Sequence, residues 1–310
     1  MDSPRLALFL LSGNNDYQRL LEDDCLASAR RRNLPIQVFA AGVSHETQEK
    51  QLRAAIALPR AQRPTVFLVC PVREAALRIV AREAAAQGIG WALLNRWGDY
   101  VHALRAEFPR VPIFSVSPNQ HEIGQIQARQ FKSLLPQGGE LVYIRGPLGT
   151  SSAQRRYSAM QEELGNFPFK VTAINSDWTS EGGHQAMRDW LRIFQRGKFP
   201  EFLVGAQNDS MAVGARSALF EWATANQRSI EHIKFTGCDG LAAHGQRLVS
   251  DGALAATVIV PSVAARAVDE VMAMTQQGRV PAAEILLQVT SYPDLASIER
   301  AKRGKTVGKL

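Results

Sequence analysis

Leu6-Ala7-Leu8-Phe9-Leu10-Leu11 is apolar throughout and runs straight into Ser12, Gly13, Asn14 and Asn15. An apolar run this short suits a strand buried on both faces, since strands close within about four to eight residues and helices need roughly ten or more. Behind the turn, Asp16 is placed to cap a helix, and Leu20, Leu21, Cys25 and Ala29 recur at roughly helical spacing.

The unit then repeats. Pro35 to Ala40 is the next strand, and Ser44 opens a helix that ends near Leu58. Thr65 to Cys70 and Gly90 to Leu94 are further strands, separated by the Ala-rich helical stretch Arg73 to Gln87, and Ile113 to Val116 follows Pro112. Strands alternating with helices predict parallel strands with helices on both sheet faces, a doubly wound α/β domain. After Ser117 and Pro118 the pattern restarts. Helices are predicted at Glu122 to Leu135, Ser152 to Leu164, Gly183 to Gln195, Ser210 to Ala223 and Leu241 to Ser250. Strands are predicted at Leu141 to Arg145, Phe169 to Asn175, Phe202 to Ala206, Ile233 to Thr236 and Ala255 to Ile259. The remaining helix, Ser262 to Gln276, and the strand Glu284 to Val289 are too few for a third domain. They must pack on the first two, so the chain crosses between lobes more than once.

Composition agrees with two folded domains. The chain has 310 residues, with 45% hydrophobic and 21% charged, which excludes a disordered or low-complexity protein. The net charge of +7 is spread out, apart from Lys302, Arg303, Lys305 and Lys309 near the end, and makes no nucleic-acid footprint. No apolar run reaches the ~20 residues of a membrane span or the core of an export signal. Cys25, Cys70 and Cys238 lie far apart without a CxxC pair and read as core residues.

Catalytic signatures are absent: no HExxH, no GxSxG, and no GxGxxG after the first strand. Gly304-Lys305-Thr306 resembles the end of a phosphate loop, but Glu299 stands where that loop needs glycine. The histidines at 45, 102, 121, 184, 232 and 244 are dispersed, so neither a metal nor a cofactor is expected. What stands out instead are polar residues just past strand ends, where open α/β sheets bind ligands. Asn14 and Asn15 follow the first strand, Asn95 and Arg96 the fourth, Asn208 and Asp209 the strand ending at Ala206, and Asp239 the strand ending near Thr236. Each alone also fits a helix cap or turn. Together they offer amides, carboxylates and a guanidinium fork, a set suited to vicinal hydroxyls.

Six stretches carry a family resemblance. They are Leu11-Ser12-Gly13-Asn14-Asn15-Asp16-Tyr17, Leu94-Asn95-Arg96, Gly149 to Arg156, Ala206-Gln207-Asn208-Asp209-Ser210-Met211-Ala212, Gly237-Cys238-Asp239-Gly240 and Leu254-Ala255-Ala256-Thr257. In this order, across almost the whole chain, they resemble the type I periplasmic solute-binding proteins of sugar transport systems, especially the ribose- and galactose-binding branch related to LacI-type ligand domains. The resemblance implies two doubly wound parallel-sheet lobes joined by a three-crossover hinge, with the ligand cleft between them. The first lobe would span 1–117 plus about 260–284, and the second 118–259 plus about 285–310. It further implies that Asn15, Asn95 and Arg96 bind ligand hydroxyls from the first lobe and Arg156, Asn208 and Asp239 from the second, with Tyr17 and Trp178 against the sugar faces.

Three departures count against ribose itself. Asn95 stands where ribose binders commonly have Asp, Gln18 replaces a second aromatic, and Val260 with Pro261 replaces a hinge-side Gln. Arg96 and Arg156 have no evident carboxylate partner in the sequence, which leaves a sugar acid or sugar phosphate open beside a small carbohydrate or polyol. The expected function is a non-enzymatic, monomeric receptor that closes over its ligand and hands it to an ABC permease, with a membrane sensor as the alternative reader. It neither binds nucleic acid nor inserts in the membrane. The expected compartment is the periplasm or the cell surface as a lipoprotein, the export signal lying outside this sequence, with the cytoplasm as alternative. A repressor would need a helix-turn-helix before Leu6, and an enzyme would need a partner for Asp209 or Asp239 that the sequence does not show.

Overall fold

The computed structural model describes residues 3–11, 16–194 and 202–300. In chain order the elements are β1 (Leu6–Leu10), α1 (Asp16–Arg31), β2 (Ile36–Ala40), α2 (His45–Ile56), β3 (Val66–Val69), α3 (Arg78–Ala86), β4 (Gly90–Leu94), α4 (Val101–Glu107) and β5 (Ile113–Pro118). They continue with α5 (Gln120–Leu134), β6 (Gly139–Arg145), α6 (Ser151–Leu164), β7 (Phe169–Asn175), α7 (Ser180–Phe194), β8 (Phe202–Ala206), α8 (Asp209–Ala225) and β9 (Lys234–Thr236). Last come α9 (Arg247–Ser250), β10 (Thr257–Ile259), α10 (Ala264–Gln277), β11 (Glu284–Leu287) and β12 (Thr290–Tyr292).

Two compact units result. The first contains the chain up to Pro118 together with Thr150–Ser152 and Ser262–Leu287, and the second contains Asn119–Gly149, Ala153–Pro261 and the residues from Gln288 onward. The first unit's sheet has the order β11-β5-β4-β3-β1-β2, and every pairing in it is parallel. All five residues of β1 are buried, as its unbroken apolar run requires. Ala7 and Phe9 point to the face covered by α2, α3 and α4, where Phe9 stacks on Phe39 at 4.8 Å and meets Phe67 edge-on at 5.0 Å. The opposite face is covered by α1 and α10. Ser44 caps α2 as its position predicts, its hydroxyl accepting from Thr47 N at 3.1 Å.

The second unit's sheet has the order β7-β6-β8-β9, again all parallel. Val142, Ile144 and Val204 pack under α7 and α8, while Leu141, Tyr143 and Leu203 pack under α5 and α6. The period-2 alternation thus sends successive residues of one strand into two different cores.

Three expectations differ from the structure. β11 was expected in the second lobe, yet it lengthens the first unit's sheet, where Glu284 to Leu287 run in register with Ser115 to Pro118 and Ser115 N donates to Ala283 O at 2.9 Å. Only from Gln288 does the chain join the second unit, where β12 pairs antiparallel with β10. The helix expected at Leu241 to Ser250 opens as a π turn over Ala242–Gln246, with Gln246 N donating to Leu241 O at 3.1 Å, and only α9 is α-helical. The stretch from Arg73 begins with a 3-10 turn, Glu74–Leu77, before α3.

Candidate functional site

In the second unit's four-stranded sheet all the strands point the same way, so the segments leaving β6, β7, β8 and β9 emerge at one sheet edge. Asn208, 2% exposed, follows β8 and caps α8: its Oδ1 accepts from Met211 N at 2.8 Å and its Nδ2 donates to the Trp178 carbonyl at 2.8 Å. One N–H and one lone pair of the amide remain for a ligand. Capping and binding are therefore compatible, and the cap fixes where the spare groups point.

Trp178 lies after β7 with a left-handed backbone, φ 73°. Its carbonyl is held by Asn208, and its indole lies against Gly146 at the end of β6, where a Cβ would come within 2.0 Å of the ring. Only glycine permits that approach. Arg156 of α6, 3% exposed, sits with its guanidinium 5.7 Å from the Trp178 ring centroid. Its Nε donates to Gln120 Oε1 at 2.7 Å and its Nη1 to the Gln207 carbonyl at 2.5 Å. Both of these partners are neutral.

Asp239 follows β9 at φ 113°, 9% exposed, with N donating to Val258 O at 3.1 Å and O accepting from Val260 N at 3.0 Å. Burial pushes the neighbouring Cys238 thiol up to about 12, with the Asp239 and Asp209 carboxylates adding to the rise and Arg156 opposing it. One guanidinium and two carboxylates thus share one buried neighbourhood, together with Trp178 and Asn208.

The first unit presents a smaller set. Asn95 leaves β4 in the left-handed region, φ 61°, which asparagine tolerates better than most residues, and its N donates to Val116 O at 2.8 Å. Arg96, 5% exposed, donates from Nη1 to the Asn95 carbonyl at 3.2 Å, and its Nε lies 3.7 Å from Glu74 Oε1. The expectation of an uncompensated Arg96 is corrected by that contact: buried Glu74, on the 3-10 turn after β3, supplies the carboxylate. Because β3 and β4 are parallel neighbours, their trailing loops meet although the two residues are far apart in sequence. Tyr17 is buried in the first turn of α1. Next to it, Gln18 accepts from Leu11 N at 3.4 Å and donates to Cys70 Sγ at 3.5 Å. Asn15 lies outside the described residues.

Sequence reasoning missed Gln207, Gln120 and Glu74. Gln207 is fully buried and ties three segments together: Oε1 accepts from Gly146 N at 2.9 Å, Nε2 donates to Ala153 O at 3.0 Å, and its carbonyl receives Arg156. Its signal was its place directly behind a strand end, beside the more conspicuous Asn208. Among the described residues no group of His, Cys, Asp and Glu is arranged to hold a metal, and no helix is long and apolar enough to cross a membrane.

Comparisons with known proteins show the fold and the family. The D-ribose/D-allose-binding protein of Pseudomonas aeruginosa is 25% identical over 258 residues, 83% of this chain and 76% of that protein. The putative rhizopine-binding protein of Rhizobium meliloti is 27% identical over 247 residues, covering 76% and 69% respectively. A crystal structure of a galactofuranose-binding protein superposes with a TM-score of 0.82 at 20% identity, covering 97% of this chain and 99% of that one, so the two-lobed α/β fold is shared. These relatives span several ligands, and the likeness is not confined to a ribose and galactose branch. Residues 6–279 match the family described as periplasmic binding protein domain, and the chain belongs to that family of non-catalytic, extracytoplasmic solute-binding proteins.

Proposed function

We propose that the chain captures a small sugar or polyol by closing its lobes over it and delivers it to an ABC permease. The observation that carries this reading is the second unit's buried set of Arg156, Asn208 and Asp239 beside the Trp178 ring. Amide, carboxylate and guanidinium are the group types that pair with hydroxyls, and an indole face suits the C–H groups of a sugar ring. The first unit adds Asn95, Arg96 and Tyr17, and by sequence Asn15. A ligand that engages both sets favours the closed state in proportion to its extra contacts there. With Glu74 beside Arg96, a neutral ligand fits this chain better than a sugar acid or phosphate.

A thermal-shift panel of monosaccharides, polyols, sugar acids and sugar phosphates, followed by calorimetry, tests the reading. One narrow neutral class should raise the melting temperature with the logarithm of its concentration, in line with about 2.7 kcal/mol of stabilisation at a hundred times Kd. Folded Asn208→Ala and Trp178→Ala variants should lose that response. A response only to sugar acids or phosphates would overturn the neutral class, and a nucleoside or amino acid recovered with the purified protein would sink the sugar reading.

A further inference from the structure

Asp209 has no role as a catalytic acid in a solute-binding protein, yet it is 1% exposed and both of its carboxylate oxygens are engaged. Oδ1 accepts from Thr257 Oγ1 at 2.7 Å, and Oδ2 accepts from the backbone N of Gly240 at 2.8 Å. Its own backbone N donates to Cys238 O at 2.6 Å. The carboxylate sits in a slot walled by glycine: a Cβ on Gly237 would fall 2.1 Å from Oδ1, and one on Gly245 would fall 2.1 Å from Oδ2. Burying a carboxylate is costly unless strong hydrogen bonds satisfy it, so such a built slot calls for a reason.

The segment it grips supplies one. Asp239 and Gly240 carry successive positive φ values, 113° and 57°, and the first is unfavourable for a residue with a side chain. Such a conformation persists only where its surroundings over-determine it. Here the determinants are the Asp239 backbone bonds to Val258 and Val260, the Gln246 Nε2 bond to Gly240 O at 2.9 Å, and the Asp209 bond to Gly240 N. Of these, only Asp209 links the loop to α8, the helix whose cap is Asn208.

We infer that Asp209 is a positioning residue that fixes the presentation of the Asp239 carboxylate, and its alignment with Asn208, toward the ligand. The inference rests on the proposed ligand-binding role of Asp239. The carboxylate acts through the Gly240 N–H and makes no ligand contact of its own.

The test has two arms. Without ligand, amide exchange at Gly240 should accelerate at least tenfold in Asp209→Ala. Asp209→Asn should restore most of the protection, because its amide oxygen can take the Gly240 N–H while its NH2 donates to Thr257. With ligand, calorimetry uses D-allose, D-ribose, xylitol and myo-inositol as probes. Asp209→Ala should weaken whichever binds at least tenfold in the Asp239 background and less than twofold in Asp239→Ala. Should Asp209→Ala not fold, Thr257→Val is to show the same pattern at about threefold, by freeing the carboxylate to swing. Unchanged Gly240 exchange, or affinity losses that multiply in the double variant, would overturn the inference. If no probe binds, the reading of the function fails while the exchange arm still decides the clamp.

Discussion

Arg156 shows what a single residue must do in this site. Its guanidinium spans Gln120 and the Gln207 carbonyl while lying near the Trp178 ring, a geometry that needs a planar fork. Lysine carries the same charge as a point and cannot reach both acceptors. Hydrogen bonds to a charged group are worth roughly 1.5–3 kcal/mol, so Arg156→Lys should weaken ligand binding about 10- to 100-fold and lower the melting temperature of the ligand-free protein. Calorimetry and thermal unfolding check both effects, and a variant with unaltered affinity would remove Arg156 from the site. Asn208 and Asp239 stand out in the sequence because polar residues behind strand ends are conspicuous, whereas Arg156, inside α6, is named only by the family resemblance. Gln207, Gln120 and Glu74 do not stand out, since their importance lies in partners distant in sequence, such as Arg156 for Gln120 and Gly146 for Gln207, that only the tertiary fold brings near.

Elements were easier to read where both ends carry a signal. Gly90–Leu94, Phe169–Asn175 and Phe202–Ala206 have the bounds the sequence predicts, each a β-rich run ended by polar or turn-forming residues. α4 and β12 escaped notice because seven and three residues give too little periodicity, and β11 was assigned to the wrong unit because a strand's sequence does not name its neighbour. Pairs of helices carry their own electrostatics. Glu163 of α6 accepts from Arg129 Nε and Nη2 of α5 at 3.2 and 3.1 Å, and those bonds, with Lys132 nearby, hold its carboxyl below the usual value of 4.5. A depressed carboxyl stabilises the fold above its unfolded pKa and loses that contribution as pH falls through the folded value. Glu163→Gln should therefore lower the melting temperature near pH 7, and the gap to the unsubstituted protein should close as pH drops below about 4.5. A gap that is constant with pH, measured by circular dichroism melts, would show the pair to be electrostatically idle.

At the scale of the molecule, each unit buries apolar clusters of its own among the described residues. Phe67 is fully buried among Phe9 and Trp91 in the first, whereas Trp190 packs on Phe202 at 5.0 Å in the second. Truncating a buried aromatic costs about 3–5 kcal/mol, and 1 kcal/mol moves the melting temperature of a unit this size by roughly 2–4 °C. Phe67→Ala should lower one calorimetric transition by about 6 °C or more and leave the second within a degree, while Trp190→Ala should do the converse. A ligand bound by both units changes that outcome, because unfolding either one then releases the ligand from both. At saturation the lower transition of Phe67→Ala should rise toward the upper, and the two should approach a single cooperative event. A ligand that shifts only the second unit's transition would mean that Arg156, Trp178, Asn208 and Asp239 hold it alone, and that Asn95, Arg96 and Tyr17 contribute structure to the first unit rather than contacts to the sugar.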